Sequence, residues 1–95
     1  MPKILKYELP MAHRAFDLRI PQSAKALCVQ NHRGRLVLWA MVSGGDEVAR
    51  RGRIELTGAH FEPPDMADLT LDYFGSVQFN AGDCVAHVFL EAGLL

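Results

Sequence analysis

Hydrophobic and polar residues alternate along most of this chain with a period of two, the pattern of β-strands that bury one face. "KILKYELP" puts Tyr7 and Leu9 on one face and stops at Pro10. "AFDLRIP" sets Phe16, Leu18 and Ile20 against Asp17 and Arg19 and ends at Pro21. "AKALCVQ" predicts a third strand, and "RLVLWAMV" predicts a strand buried on both faces. Between these two, "NHRG" (31–34) predicts a hairpin turn in which Asn31 and Gly34 tolerate the unusual backbone angles.

"SGGDE" (43–47) predicts a flexible loop. "VARRGRIELTG" predicts a strand with Ile54 and Leu56 inward and Arg51, Arg53 and Glu55 outward, ended by Gly58. "HFEPPDMADLTLD" is irregular, because Pro63 and Pro64 exclude a regular helix there. "MADLTLDY" allows one short helical turn or a loop. "FGSVQFN" and "CVAHVFLE" predict a closing hairpin across "NAGD". Together these segments predict a mostly β fold, an antiparallel sandwich or small barrel of about seven strands, with at most one short helical turn.

A chain of 95 residues accommodates one domain, here 1–95. Such a chain buries a limited core, and self-association is a common remedy. Apolar residues at 49% and charged residues at 22% exclude a disordered chain. Cys28 and Cys84, each in an apolar run, are expected to be reduced and buried, because the basic, alternating N-terminal segment does not resemble a secretory leader. No apolar run approaches the roughly 18–20 residues that span a membrane, so the expected location is cytosolic.

Charge divides unevenly. Residues 1–53 hold ten Lys and Arg against four carboxylates (10 − 4 = +6), and residues 54–95 hold seven carboxylates and no Lys or Arg, −7. Either this marks a basic binding surface, or strands from the two halves interleave and the charges mix. The net charge of −1 and pI near 6.4 disfavour nucleic acid as a partner.

No phosphate-binding glycine loop, zinc-spaced cysteine pair, H-E-x-x-H or G-x-S-x-G occurs. The candidate residues are therefore few. Arg50, Arg51 and Arg53 in "ARRGR" could grip a phosphate or a carboxylate surface, or simply line a solvated strand edge. Trp39 reads as core or as an interface anchor. His13 and His32 fall in turns and are expected to be solvated. His87 reads as a hydrogen-bonded, part-buried histidine. His60 follows the "TG" at a strand end, where function concentrates. Pairing of the strands around 54–58 and 85–90 would bring His60 and His87 near Glu62 or Asp83, a set capable of acid–base or metal chemistry.

The segments "KILKYELP", "IPQSAKALCVQNHRGRLVLWAMV", "LTGAHF" and "YFGSVQFNAGDCVAHVFLE", in that order, resemble a group of small phage and prophage proteins. Their pattern is a K-Y strand, an I-P-x-x-A strand, L-W-A-x-V, a T-G-x-H turn and a closing G-T-V-Q…V-x-H-x-F hairpin, with Ser76 here in place of the Thr. The resemblance spans nearly the whole chain. The matching positions are Trp39, Thr57, Gly58, His60, Gly75, Gln78, His87 and Phe89. It implies a phage origin and a compact β fold, and assigns no activity.

The functional expectation is a phage accessory protein that binds and does not turn over a substrate. It would inhibit a host defence system in the host cytoplasm, by engaging a defence protein or by sequestering an anionic nucleotide signal. A homo-oligomer, a dimer first, is expected. The binding residues would be Arg50, Arg51, Arg53, His60, Trp39 and His87, with no cofactor. The alternatives are a small histidine- or metal-dependent hydrolytic enzyme using His60 and His87, and a structural or virion-associated protein.

Overall fold

A computed structural model describes residues 2–12, 14–57 and 71–95. The described residues form β1 (Lys3–Glu8), β2 (Arg14–Pro21), β3 (Lys25–His32), β4 (Arg35–Val42), β5 (Glu47–Thr57), β6 (Leu71–Phe79) and β7 (Cys84–Glu91). Single 3-10 turns occupy Asn80–Gly82 and Ala92–Leu94. Every strand pairing is antiparallel, in a three-stranded sheet ordered β1-β4-β3 and a four-stranded sheet ordered β2-β5-β7-β6. No helix among the described residues is long and apolar enough to cross a membrane.

The two sheets meet through the alternating apolar positions. Leu36, Leu38, Ala40 and Val42 of β4 face Ile54 of β5, Ala86, Val88 and Leu90 of β7, and Phe16 and Ile20 of β2 in one buried cluster. Alternation alone produces this: each strand turns every second side chain inward, and removal of that apolar surface from water drives the layers together. Leu94 in the last 3-10 turn is fully buried and extends the core. Along one side of the sandwich β3 approaches β6, where the Asn31 side-chain amide donates to the Gln78 carbonyl at 3.3 Å.

Four features depart from the sequence reading. First, β4 is not buried on both faces. Its outer face carries buried Val37 and half-buried Trp39, but Met41 is 40% exposed, beside Ile4, itself exposed, in the β1 ladder. Second, the β3–β4 turn uses Arg33 (φ 55°) and Gly34 (φ 83°) as its left-handed pair, the pattern of a two-residue hairpin turn. Asn31 serves instead through its side chain, accepting the Gly34 N–H at 2.8 Å. Third, Cys28 is exposed and Cys84 half-buried, both free. A bulge between Ala26 and Cys28 inserts Leu27 and turns Cys28 to the outer face. Fourth, Leu71–Tyr73, the end of the segment allowed a helical turn, is already strand β6; residues 66–70 lie outside the described residues.

Candidate functional site

Strand β5 decides how the arginine cluster is displayed. It is an interior strand, between β2 and β7, and not a sheet edge. Its side chains alternate, so consecutive arginines point to opposite sides. Arg51 lies across from Asp17 on β2, and Arg53 across from Ala15 on β2 and Phe89 on β7, all on the outer face of the four-stranded sheet. Arg50, one residue away, turns to the inner side. It sits over the end of the sandwich, its Nη1 3.5 Å from Glu91 Oε1 and its Nη2 donating to the Gln22 carbonyl at 3.4 Å. Its buried Nε has no hydrogen-bond partner among the described residues. These contacts make Arg50 a brace for the chain end.

The outer face holds a connected set of polar groups. Glu55 and His87 stand opposite each other in the β5–β7 ladder, and His87 stands opposite Ser76 in the β7–β6 ladder. Arg53 Nε donates to Glu55 Oε1. That carboxylate is 4% exposed, the one buried charged group among the described residues. The guanidinium offsets the cost of desolvating it. On the other side, Ser76 Oγ lies 2.7 Å from His87 Nδ1 and 2.7 Å from the Tyr73 hydroxyl. Tyr73 packs edge-on against Phe89, with ring centroids 5.7 Å apart. Tyr73 is 58% exposed, so the aromatic pair borders solvent.

Ser76 and Tyr73 were not legible as members of this set, because their spacing of three puts them on opposite faces of a regular strand. A bulge between Tyr73 and Gly75 corrects the parity. Phe74 and Gly75 both turn inward, and Tyr73 and Ser76 both turn outward.

Of the six residues singled out from sequence, Arg51, Arg53 and His87 come together here. His87 is half-buried and hydrogen-bonded, as its strand context indicated. Trp39 lies on the opposite side of the molecule, on the outer face of the three-stranded sheet. Its Nε1 donates to Gln30 Oε1 at 3.0 Å, and its ring meets that of His32 edge-on at 6.4 Å. His32 is therefore half-buried and packed, not free in solvent. His60, Glu62 and His13 lie outside the described residues. Among the described residues no group of three His, Cys, Asp or Glu side chains is placed to hold a metal ion.

Electrostatically the outer face is close to balanced. By strand register Arg19, Arg51 and Arg53 stand against Asp17, Glu47 and Glu55 on the outward positions of β2 and β5, 3 − 3 = 0. On this sheet strands from the two halves of the chain lie side by side, because β5 and β2 share it with β6 and β7. Chemically the set offers guanidinium donors, an imidazole, two hydroxyls and exposed aromatic surface on a sheet.

A family model for a domain of unknown function, DUF7352, matches residues 1–93. The chain belongs to that family. The match takes in all seven strands, so one DUF7352 domain accounts for both sheets and for the outer face. Neither the curated proteins nor the solved structures contain a match.

Proposed function

We propose that this DUF7352 protein works by binding, with the outer face of the four-stranded sheet as its contact surface for a partner protein. The observation that carries the reading is the placement of Arg51, Arg53 and His87 beside Tyr73 and Phe89 on one sheet face. Tyrosine and arginine dominate the energetics of protein interfaces, where a large rigid ring and a forked cation each supply much contact for little lost freedom. A sheet face presents them side by side, which suits a protein surface better than it suits enclosure of a small nucleotide. The exposed Arg51 favours an acidic patch on the partner.

The resemblance to phage and prophage proteins supplies the setting: an accessory protein of a phage, acting in the host cytoplasm on a host defence protein, as a dimer. The test is functional. Expression of the protein in bacteria carrying a defence system should restore plating of a phage that the system blocks. Arg51→Glu with Tyr73→Ala should remove that protection while the purified variant still melts near the parent temperature. Protection that survives this variant sinks the proposed face, and absence of protection against every system tried sinks the setting. Native mass spectrometry reads the dimer directly.

A second reading rests on the Ser76 Oγ–His87 Nδ1 contact of 2.7 Å, the distance of a hydroxyl nucleophile from its base. It predicts turnover of activated esters that Ser76→Ala and His87→Ala both abolish and Arg51→Glu leaves unchanged. The backbone N–H groups of β6 and β7 around Ser76 are largely engaged in the ladder, so a donor for a developing oxyanion is harder to find there. Binding is the better-supported function for that reason.

A further inference from the structure

The opposite side of the molecule carries a second concentration of charge. On the outer face of the three-stranded sheet a depression of about 280 Å³ is lined by Lys6, Glu8, His32, Arg33, Arg35 and Val37. Strand register builds it. Glu8 stands across from Val37, His32 across from Arg35, and Lys6 across from Trp39, so β1, β4 and β3 each contribute to one hollow floored by Val37. Its volume is near the lower end of small-molecule sites.

Three permanent cations face one carboxylate there: Lys6, Arg33 and Arg35 against Glu8, which leaves +2. Arg35 Nη1 already donates to Glu8 at 2.7 Å. Lys6 and Arg33 form no ion pair among the described residues. One of these cations comes from β1 and the other from the β3–β4 turn, and neither is paired with an anion among the described residues. Arg33 also occupies a left-handed backbone position (φ 55°) that Asn or Gly fills at lower cost in such turns. An arginine kept at a strained position at the rim of a basic hollow fits a binding role better than a folding role.

We infer that this hollow is an anion site that takes a phosphate group, either as free pyrophosphate or as the diphosphate of a nucleotide. Arg33 and Lys6 clamp the anion from two sides, because a guanidinium offers paired N–H donors and an ammonium a compact charge. Arg35 can share its second terminal nitrogen while holding Glu8. Trp39 stands beside the hollow, across from Lys6 in the β1–β4 ladder and edge-on to His32 at 6.4 Å between centroids, with its ring half-buried. A nucleotide base could stack there. This site lies on the other sheet from the proposed protein-binding face and does not depend on it.

Trp39 is the sole tryptophan of the chain, so its fluorescence reports this site alone. The full-length protein is titrated at fixed pH with sodium pyrophosphate and, separately, with ADP, and calorimetry is run in parallel. The expected result is a saturable change in emission with at least one of them. A response to pyrophosphate as strong as that to ADP marks a free-phosphate site, and a stronger response to ADP marks a nucleotide site. Arg33→Asn should weaken binding by about tenfold or more, since it removes one charge-assisted pair. Asn is at home in the left-handed position, so this variant should keep or raise the melting temperature. Lys6→Ala should act in the same direction, and Arg51→Glu on the far face should have no effect. The inference is overturned by an unchanged signal with both probes, by an equal response to sodium chloride at matched ionic strength, or by undiminished affinity in Arg33→Asn.

Discussion

The ring of Phe16 occupies the space above Gly52: a Cβ built on Gly52 would fall 2.8 Å from both Cε1 and Cε2 of Phe16. The two residues are register partners in the β2–β5 ladder, and Phe16 is 8% exposed. Glycine in a strand interior is intrinsically unfavourable, and an aromatic ring across the ladder covers the gap it leaves. Gly52→Ala should therefore destabilise the protein by about 1–3 kcal/mol through overpacking. Urea unfolding measures it. Phe16→Leu should recover part of the loss in the double variant, and strictly additive effects would show that the ring and the glycine do not interact.

Arg51 and Arg53 share a face but not a role. Arg53 holds the buried Glu55 carboxylate, so Arg53→Ala should cost about 1–3 kcal/mol, the range for a hydrogen bond to a charged group. Arg51 is exposed, and Arg51→Ala should cost about 1 kcal/mol or less. Equal melting temperatures for the two variants would contradict this division. A joint charge reversal at both positions should lower stability, because it leaves the buried Glu55 carboxylate facing a second negative charge.

Arg50 should prove dispensable for binding. It faces the inner side, and its buried Nε has no hydrogen-bond partner among the described residues. Arg50→Met keeps the packed stem and removes the unsatisfied donor, so the expected change in stability is about 1 kcal/mol or less in either direction. Any loss of partner binding in this variant, with Arg51 intact, would place the contact surface elsewhere.

The Tyr7 phenol is held above its ordinary value of 10.0, first by burial and then by the negative charge of Glu47. Both oppose the phenolate, so the folded state binds this proton more tightly than the unfolded chain does. That contribution to stability is complete below pH 10 and is lost as pH rises through the folded value. Thermal melts across the alkaline range should show an earlier decline for the parent than for Tyr7→Phe. Coincident pH profiles would show that Tyr7 ionises as freely in the fold as outside it.

By itself the sequence determined the strands. Alternation of Phe16, Leu18 and Ile20 against Asp17 and Arg19, stopped by Pro21, is a local property of a period-two chain, and β2 ends at that proline. The inward set of Ile54 and Leu56 and the hairpin at "NHRG" follow from the same local rules. Tertiary structure decided what lies beside what. Strand order places β5 inside a sheet between β2 and β7, so its arginines do not line an edge, and it sets Trp39 on the other layer. Two bulges, at Leu27 and Phe74, shift the parity of side chains and deliver Cys28 and Ser76 to outer faces. Alternation is written between neighbours in the chain. The partner of a strand, and the single extra residue that turns its pattern over, are set by long-range contacts whose energies a local pattern does not contain.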